Sequence, residues 1–207
     1  EFNTRLEKML SQNIQENWLQ PQALYGYFPT ASDGNQLIVY DIKTLNGNDP
    51  QEMLRFTFPR QVSCDCLCLA DYFSSAADGR FDVLPLQLVT IGQAATQRIQ
   101  SLQDAGNYSE AYFSHGLAVQ LAEASAEFIH QKIRRELGIS SRQGKRYSWG
   151  YPPLPDLTEH GNLFRLLPAE KELNMTLTTA FQLVPEQSTA AMVVHHPQAK
   201  YFTIENR

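Results

Sequence analysis

Apolar positions recur every three to four residues in two stretches of the chain and every second residue in several others. Thr4 to Asn17 is polar with Leu6, Leu10 and Ile14 at a four-residue spacing, which predicts a helix that ends by Pro21. Ala23–Pro29 is an aromatic, strand-like run, and Leu37–Tyr40 is β-branched and apolar. Ser32-Asp33-Gly34-Asn35 between them predicts a turn, so the pair predicts a hairpin. Met53–Pro59 alternates and predicts a further strand or an extended approach to Cys64–Tyr72, another alternating run. Ser74–Arg80 reads as a small-residue turn and Val83–Ile91 as a buried strand.

A long helical region follows. Ala94–Leu102 carries Ile99 and Leu102 at helical spacing, and Asp104-Ala105-Gly106-Asn107 breaks it. From Ser109 to Leu137 one apolar stripe is predicted from Leu117, Leu121, Ala124 and Phe128, extended by Ile133 and Leu137, with Gly138 as the stop. Glu123 and Glu127 are four residues apart and share one helical face. Arg146 to Glu159 cannot form a helix or a central strand, because Pro152, Pro153 and Pro155 remove backbone donors and fix φ. It predicts a stiff connection with the permanent cation Arg146 at its start, suited to holding an anionic group. Gly161–Leu173 predicts a helix interrupted or ended near Pro168. Leu177–Leu183 and Ala190–Val194, joined by the turn Pro185–Ser188, predict a final hairpin. Helical and strand patterns are segregated along the chain. The expected class is therefore α+β with an antiparallel or mixed sheet, not a doubly wound fold.

Composition narrows the functional classes. The 207 residues are 43% hydrophobic and 19% charged, which suits a globular chain with a substantial core. The net charge of -5 and the lack of a basic block argue against a nucleic-acid surface. No apolar run has the length of a membrane span and no signal peptide opens the chain, so a cytoplasmic location away from membranes is expected. Cys64, Cys66 and Cys68 form one odd-numbered cluster, which fits a reducing compartment and structural roles. The adjacent pair His195-His196 would point opposite ways on an extended segment and lacks further metal ligands at workable spacing. Neither a phosphate-binding glycine loop nor a Gly-x-Ser-x-Gly nucleophile motif is present.

The motif Arg146-x-x-x-Gly150-Tyr151-Pro152-x-x-Pro155-Asp156-x-Thr158-Glu159 resembles the signature of the C-terminal activation domain of cobalamin-dependent methionine synthase. Tyr25-Gly26-Tyr27-Phe28-Pro29 with Asp33-Gly34-Asn35 is similar to that family's early hairpin, and Cys68-Leu69-Ala70-Asp71-Tyr72-Phe73 to its Cys-Leu-Ala-Asp-Phe run. Leu121–His130 resembles its long helix, and His196-Pro197 with Lys200-Tyr201-Phe202 its ending. The matches keep the family's order from Tyr25 to Phe202. The resemblance implies a helical lead-in over 1–20 and an activation-like domain over 21–207. It implies a C-shaped α+β domain with a twisted antiparallel sheet and flanking helices. It also implies an S-adenosylmethionine-binding module that supports reductive methylation of cob(II)alamin to methylcobalamin. The implied partners are a cobalamin-binding domain, which holds the cobalamin, and a flavodoxin or equivalent reductase. The module would be one part of a methyltransferase, 5-methyltetrahydrofolate–homocysteine methyltransferase, and not catalytic alone.

The resemblance assigns binding roles residue by residue. Arg146 matches the arginine that holds the ligand's carboxylate, and Ser148 the small residue that lets the backbone approach. Tyr151 matches the tyrosine at the mouth facing cobalamin. Tyr201 and Phe202 match the pair around the adenine, and Glu123 and Glu127 match helix carboxylates that attract the sulfonium and ammonium charges. No catalytic side chain and no metal ligand are implied, since the sulfonium is itself an excellent leaving group. The family also has a ligand-contacting aspartate segment upstream of its early hairpin, for which Glu1–Pro21 offers no match. The link Gly138–Lys145 is short, with Ser140 or Ser141 near the place of an acidic residue, and no helical extension follows Phe202. The alternative reading is a docking module for a cobalamin domain that keeps the fold without the ligand.

Overall fold

The computed structural model describes residues 2–47, 49–62 and 65–204. Its centre is a six-stranded sheet of order β3-β2-β1-β4-β8-β5 in which every neighbouring pair is antiparallel. The strands are β1 (Gln22–Asp33), β2 (Gln36–Tyr40), β3 (Glu52–Thr57), β4 (Asp82–Thr90), β5 (Lys145–Ser148) and β8 (Ser188–Val194). The hairpin expected from Asp33-Gly34-Asn35 is β1–β2, with Asp33 opposite Gln36. Helices α1 (Phe2–Glu16), α2 (Gln93–Asp104), α3 (Tyr108–Glu136), α4 (His160–Leu166) and α5 (Ala169–Leu173) flank the sheet. The break between α4 and α5 falls at Leu167-Pro168, where proline cannot continue the ladder.

Period-2 alternation sorts the side chains into two layers. Leu84, Leu86 and Leu88 of β4 share the larger core with Met192 and Val194 of β8, Tyr147 of β5, and the short helices α4 and α5. Val89 and Val193 face the other way, onto Ala126, Ile129 and Ile133 of α3. Trp18 and Leu19, just after α1, pack with Ile91, Ala95, Ala118 and Ala122. The N-terminal residues are thus tied into the layer that holds α3. Gln87, buried in β4, donates to the Ala126 carbonyl at 3.1 Å and joins sheet to helix.

Three expectations are corrected. The buried stripe of α3 is Ala111, Ser114, Ala118, Ala122, Ala126, Ile129 and Ile133, while Leu117 and Leu121 are only partly buried and Phe128 is 61% exposed. Small side chains let the helix axis come close to the sheet, so the helix is turned about its axis to face its alanines inward. The run into Tyr72 is not a strand. Cys66 is exposed with φ +50°, Leu69–Tyr72 is a single 3-10 turn, and Asp71 captures the Cys68 amide at 3.1 Å. Cys68 is buried, and Cys64 lies outside the described residues. The final hairpin does not form either. Leu183–Val184 (β7) pairs with Thr176–Leu177 (β6), and β8 enters the main sheet between β4 and β5. From Ala190 to Val194 β8 is buried on both faces, which suits a strand in the sheet interior with core layers on each side.

Candidate functional site

The site grows from the register of β5 on β8. Arg146 stands opposite Val193, whose side chain faces α3, so alternation sends Arg146 to the same face while Tyr147 enters the larger core. Arg146 Nη2 donates to Glu123 Oε2 of α3 at 2.7 Å. Its side chain is 15% exposed, and its Nη1 is buried without a hydrogen-bond partner among the described residues. A buried guanidinium nitrogen left unpaired is costly, and such an atom beside a groove suits an incoming anion.

That groove has a volume of about 480 Å³ and is lined by Glu123, Arg146, Tyr147, Ser148, Tyr151, Pro152, Pro153, Tyr201, Phe202 and Thr203. The structure therefore brings Glu123, Arg146, Ser148, Tyr151, Tyr201 and Phe202 together from a helix, an edge strand and two loops. Glu127 is not among the lining residues. One helical turn beyond Glu123, it bonds His130 Nδ1 and Arg134 Nη1, each at 3.3 Å. Tyr147, Pro152, Pro153 and Thr203 are lining residues that sequence reasoning did not single out. Each lies within two residues of one it did, and nearness to Ser148, Tyr151 or Phe202 was the available signal.

Both walls are held by backbone contacts. Tyr201 Oη donates to the Arg146 carbonyl at 3.1 Å, and Tyr147 Oη to the Lys200 carbonyl at 2.7 Å. The two rings meet edge to face at 5.3 Å. Burial pushes the Tyr147 phenol well above its ordinary range, so it remains a neutral donor. Gln61 Nε2 donates to the Thr203 carbonyl at 2.8 Å, and Lys200 pairs with Asp65 at 2.6 Å. These contacts fasten the C-terminal wall to the loop before Cys68. On the other side the Gly150 amide donates to Leu154 at 2.7 Å and the Leu154 amide to Tyr151 at 2.8 Å. This tight turn through Pro152-Pro153 leaves Tyr151 65% exposed. Trp149 is buried between Phe56 and His160, and Glu159 accepts from the Thr57 amide at 3.1 Å. The proline segment is therefore pinned beyond Ser148 as well as through β5.

His195 and His196 have separate partners. His195 bonds Asp82 at 2.8 Å, and the ring of His196 lies 5.6 Å from that of Tyr72. Among the described residues, no helix is long and apolar enough to cross a membrane.

Residues 3–206 match the family model described as vitamin B12 dependent methionine synthase, activation domain. Methionine synthase of Mycobacterium tuberculosis (strain ATCC 25618 / H37Rv) is 39% identical over 204 residues, and that of Mycobacterium leprae (strain TN) is 37% identical over 204 residues. Each alignment covers 87% of this chain, which spans only 17% of the length of either relative. A crystal structure of the MetH reactivation domain bound to AdoHcy superposes with a TM-score of 0.87 at 26% identity. It covers 97% of this chain, and the match covers 66% of that chain. The agreement over nearly the whole length, in sequence and in fold, places this chain in the activation-domain family of vitamin B12 dependent methionine synthases.

Proposed function

We propose that the groove binds S-adenosylmethionine and that the protein is the reactivation module of a cobalamin-dependent methionine synthase. The observation that carries this reading is the Arg146–Glu123 pair, in which Nη1 of Arg146 has no hydrogen-bond partner among the described residues. A cation and a carboxylate set side by side match the zwitterion of an amino acid, the carboxylate on the guanidinium and the ammonium on Glu123. The relative bound to AdoHcy supports the same ligand class for this groove.

The remaining residues fit the rest of such a ligand. Tyr201 and Phe202 offer aromatic surface for an adenine, Ser148 permits close backbone approach, and Tyr151 stands exposed at the rim. When bound, S-adenosylmethionine supplies a methyl group for the reductive methylation of cob(II)alamin held by a separate cobalamin-binding domain, with the electron from a reduced flavodoxin or equivalent reductase. The chain's own residues bind, orient and shield. Arg146, fixed by β5 and Glu123, sets where the amino-acid end lies, and the stiff turn at Pro152-Pro153 sets the rim that meets the partner domain. The activity then belongs to the whole methyltransferase, and this domain contributes position.

Isothermal titration with S-adenosylmethionine tests the reading. Binding is expected for the wild-type protein, and Arg146→Ala is expected to weaken it by more than about 1.5 kcal/mol through loss of a charge-assisted pair. Absence of wild-type binding would refute the reading and favour a docking module without the ligand.

A further inference from the structure

Behind the groove, α3 carries a second polar cluster that does not line it. Arg134 is buried, yet all three of its guanidinium nitrogens have partners. Its Nε donates to the Gln143 carbonyl at 2.9 Å, its Nη2 to the Gly144 carbonyl at 3.4 Å, and its Nη1 to Glu127 at 3.3 Å. Those carbonyls belong to the residues immediately before β5, two and three positions from Arg146. Gln143 Nε2 in turn donates to the His195 carbonyl at 2.9 Å, which ties the same link to the end of β8. His130 is 2% exposed, with Nδ1 3.3 Å from Glu127 and Nε2 buried without a partner among the described residues. Burial, then the charge of Arg134, with a smaller contribution from Arg146, pushes His130 down to about 4, against the opposing pull of Glu127. It is therefore uncharged at neutral pH.

We propose that Arg134 and Glu127 are positioning residues for the ligand clamp, acting on Arg146 through the Gln143 and Gly144 carbonyls. This inference rests on the S-adenosylmethionine reading and adds residues to its site. A buried cation and its carboxylate give little net stability over an apolar pair, but their directional bonds fix geometry. Here the geometry fixed is the entry of β5. A shift of the peptide planes at Gln143 and Gly144 moves Arg146 relative to Glu123 and so relative to the ligand's carboxylate. Arg134 and Glu127 touch no ligand, and their effect is confined to the end of the ligand that Arg146 holds.

The test uses two probes of the 207-residue protein, S-adenosylmethionine and 5′-methylthioadenosine, which keeps the adenine, ribose and sulfur but lacks the amino-acid end. In Arg134→Met and Glu127→Gln, the Kd for S-adenosylmethionine is expected to rise about tenfold while that for 5′-methylthioadenosine changes by less than about twofold. Arg134→Lys, which keeps a charged donor, is expected to recover part of the loss. In an Arg146→Ala background, neither substitution should weaken binding further. Equal losses for both probes, additive losses in the double variants, or no loss at all would overturn the inference. If Arg134→Met fails to fold, Glu127→Gln alone decides. Failure of the wild-type protein to bind S-adenosylmethionine would remove the underlying reading, an outcome distinct from wild-type-like variants.

Discussion

Gly144 is where the geometry of the site can be perturbed with the least change in chemistry. Its φ is +75°, and a Cβ built there would lie 2.6 Å from the Val194 carbonyl oxygen and 3.0 Å from His195 Cα. Both are backbone atoms at the end of the neighbouring strand β8, so no flexible side chain can move aside. Alanine at 144 meets two costs. The left-handed conformation costs an L-residue about 1–2 kcal/mol. The overlap adds about 1–3 kcal/mol, as for other overpacked sites. Gly144→Ala should therefore lose roughly 2–5 kcal/mol in urea denaturation. Gly138, with φ +67° and no atom within 4 Å of its Cβ position, is the internal control. Gly138→Ala should show only the conformational part, about 1–2 kcal/mol. Relief of the overlap must push Gly144 away from β8, taking Arg146 with it. S-adenosylmethionine binding should accordingly weaken in Gly144→Ala and stay unchanged in Gly138→Ala. Equal stability losses at the two positions would refute the overlap, and wild-type affinity in a destabilised Gly144→Ala would refute the link from this residue to Arg146.

Two further outcomes follow from buried groups. The unfolded chain protonates His130 near its ordinary value of 6.5, whereas the folded site, through burial first and the Arg134 charge second, resists protonation down to about 4. The stability this group contributes is therefore full above about pH 6.5 and lost as pH falls toward 4; urea melts of wild type and His130→Gln between these values should differ in slope, by on the order of 3 kcal/mol in total. Ala126 is fully buried where α3 meets Val89 and Val193, so Ala126→Leu should destabilise by about 1–3 kcal/mol in the same assay, while an added side chain at the exposed Ala124 should cost under about 0.5 kcal/mol.

Local signals proved reliable where local chemistry decides. The turn at Asp33-Gly34-Asn35, the break at Asp104–Asn107, the stop at Gly138 and the interruption at Pro168 all lie where backbone preference alone predicts them. What the pattern misplaced depends on partners far along the chain. Large apolar residues at Leu117, Leu121 and Phe128 suggested one face of α3, but its alanine face allows the closest approach to β4 and β8. Ala190–Val194 is apolar enough for a hairpin, yet strands 47 and 98 residues away are available, as the pairs Arg146 with Val193 and Thr90 with Ser188 illustrate.

 Arg146 shows why the site itself resists reading from the pattern. Its pairing with Glu123 requires the β5–β8 register, which sets the face it occupies, and the rotation of α3, which sets the face Glu123 occupies. Neither is encoded within a few residues of Arg146. Motif resemblance named Glu123, Arg146 and Tyr201 as neighbours without that geometry. It also grouped Glu127 with them, because a spacing of four places two carboxylates on one helical face whether they share a groove or not. The bonds of Glu127 to His130 and Arg134 separate the two carboxylates: one turn of α3 lines the groove, and the next bonds the arginine that holds the link before β5.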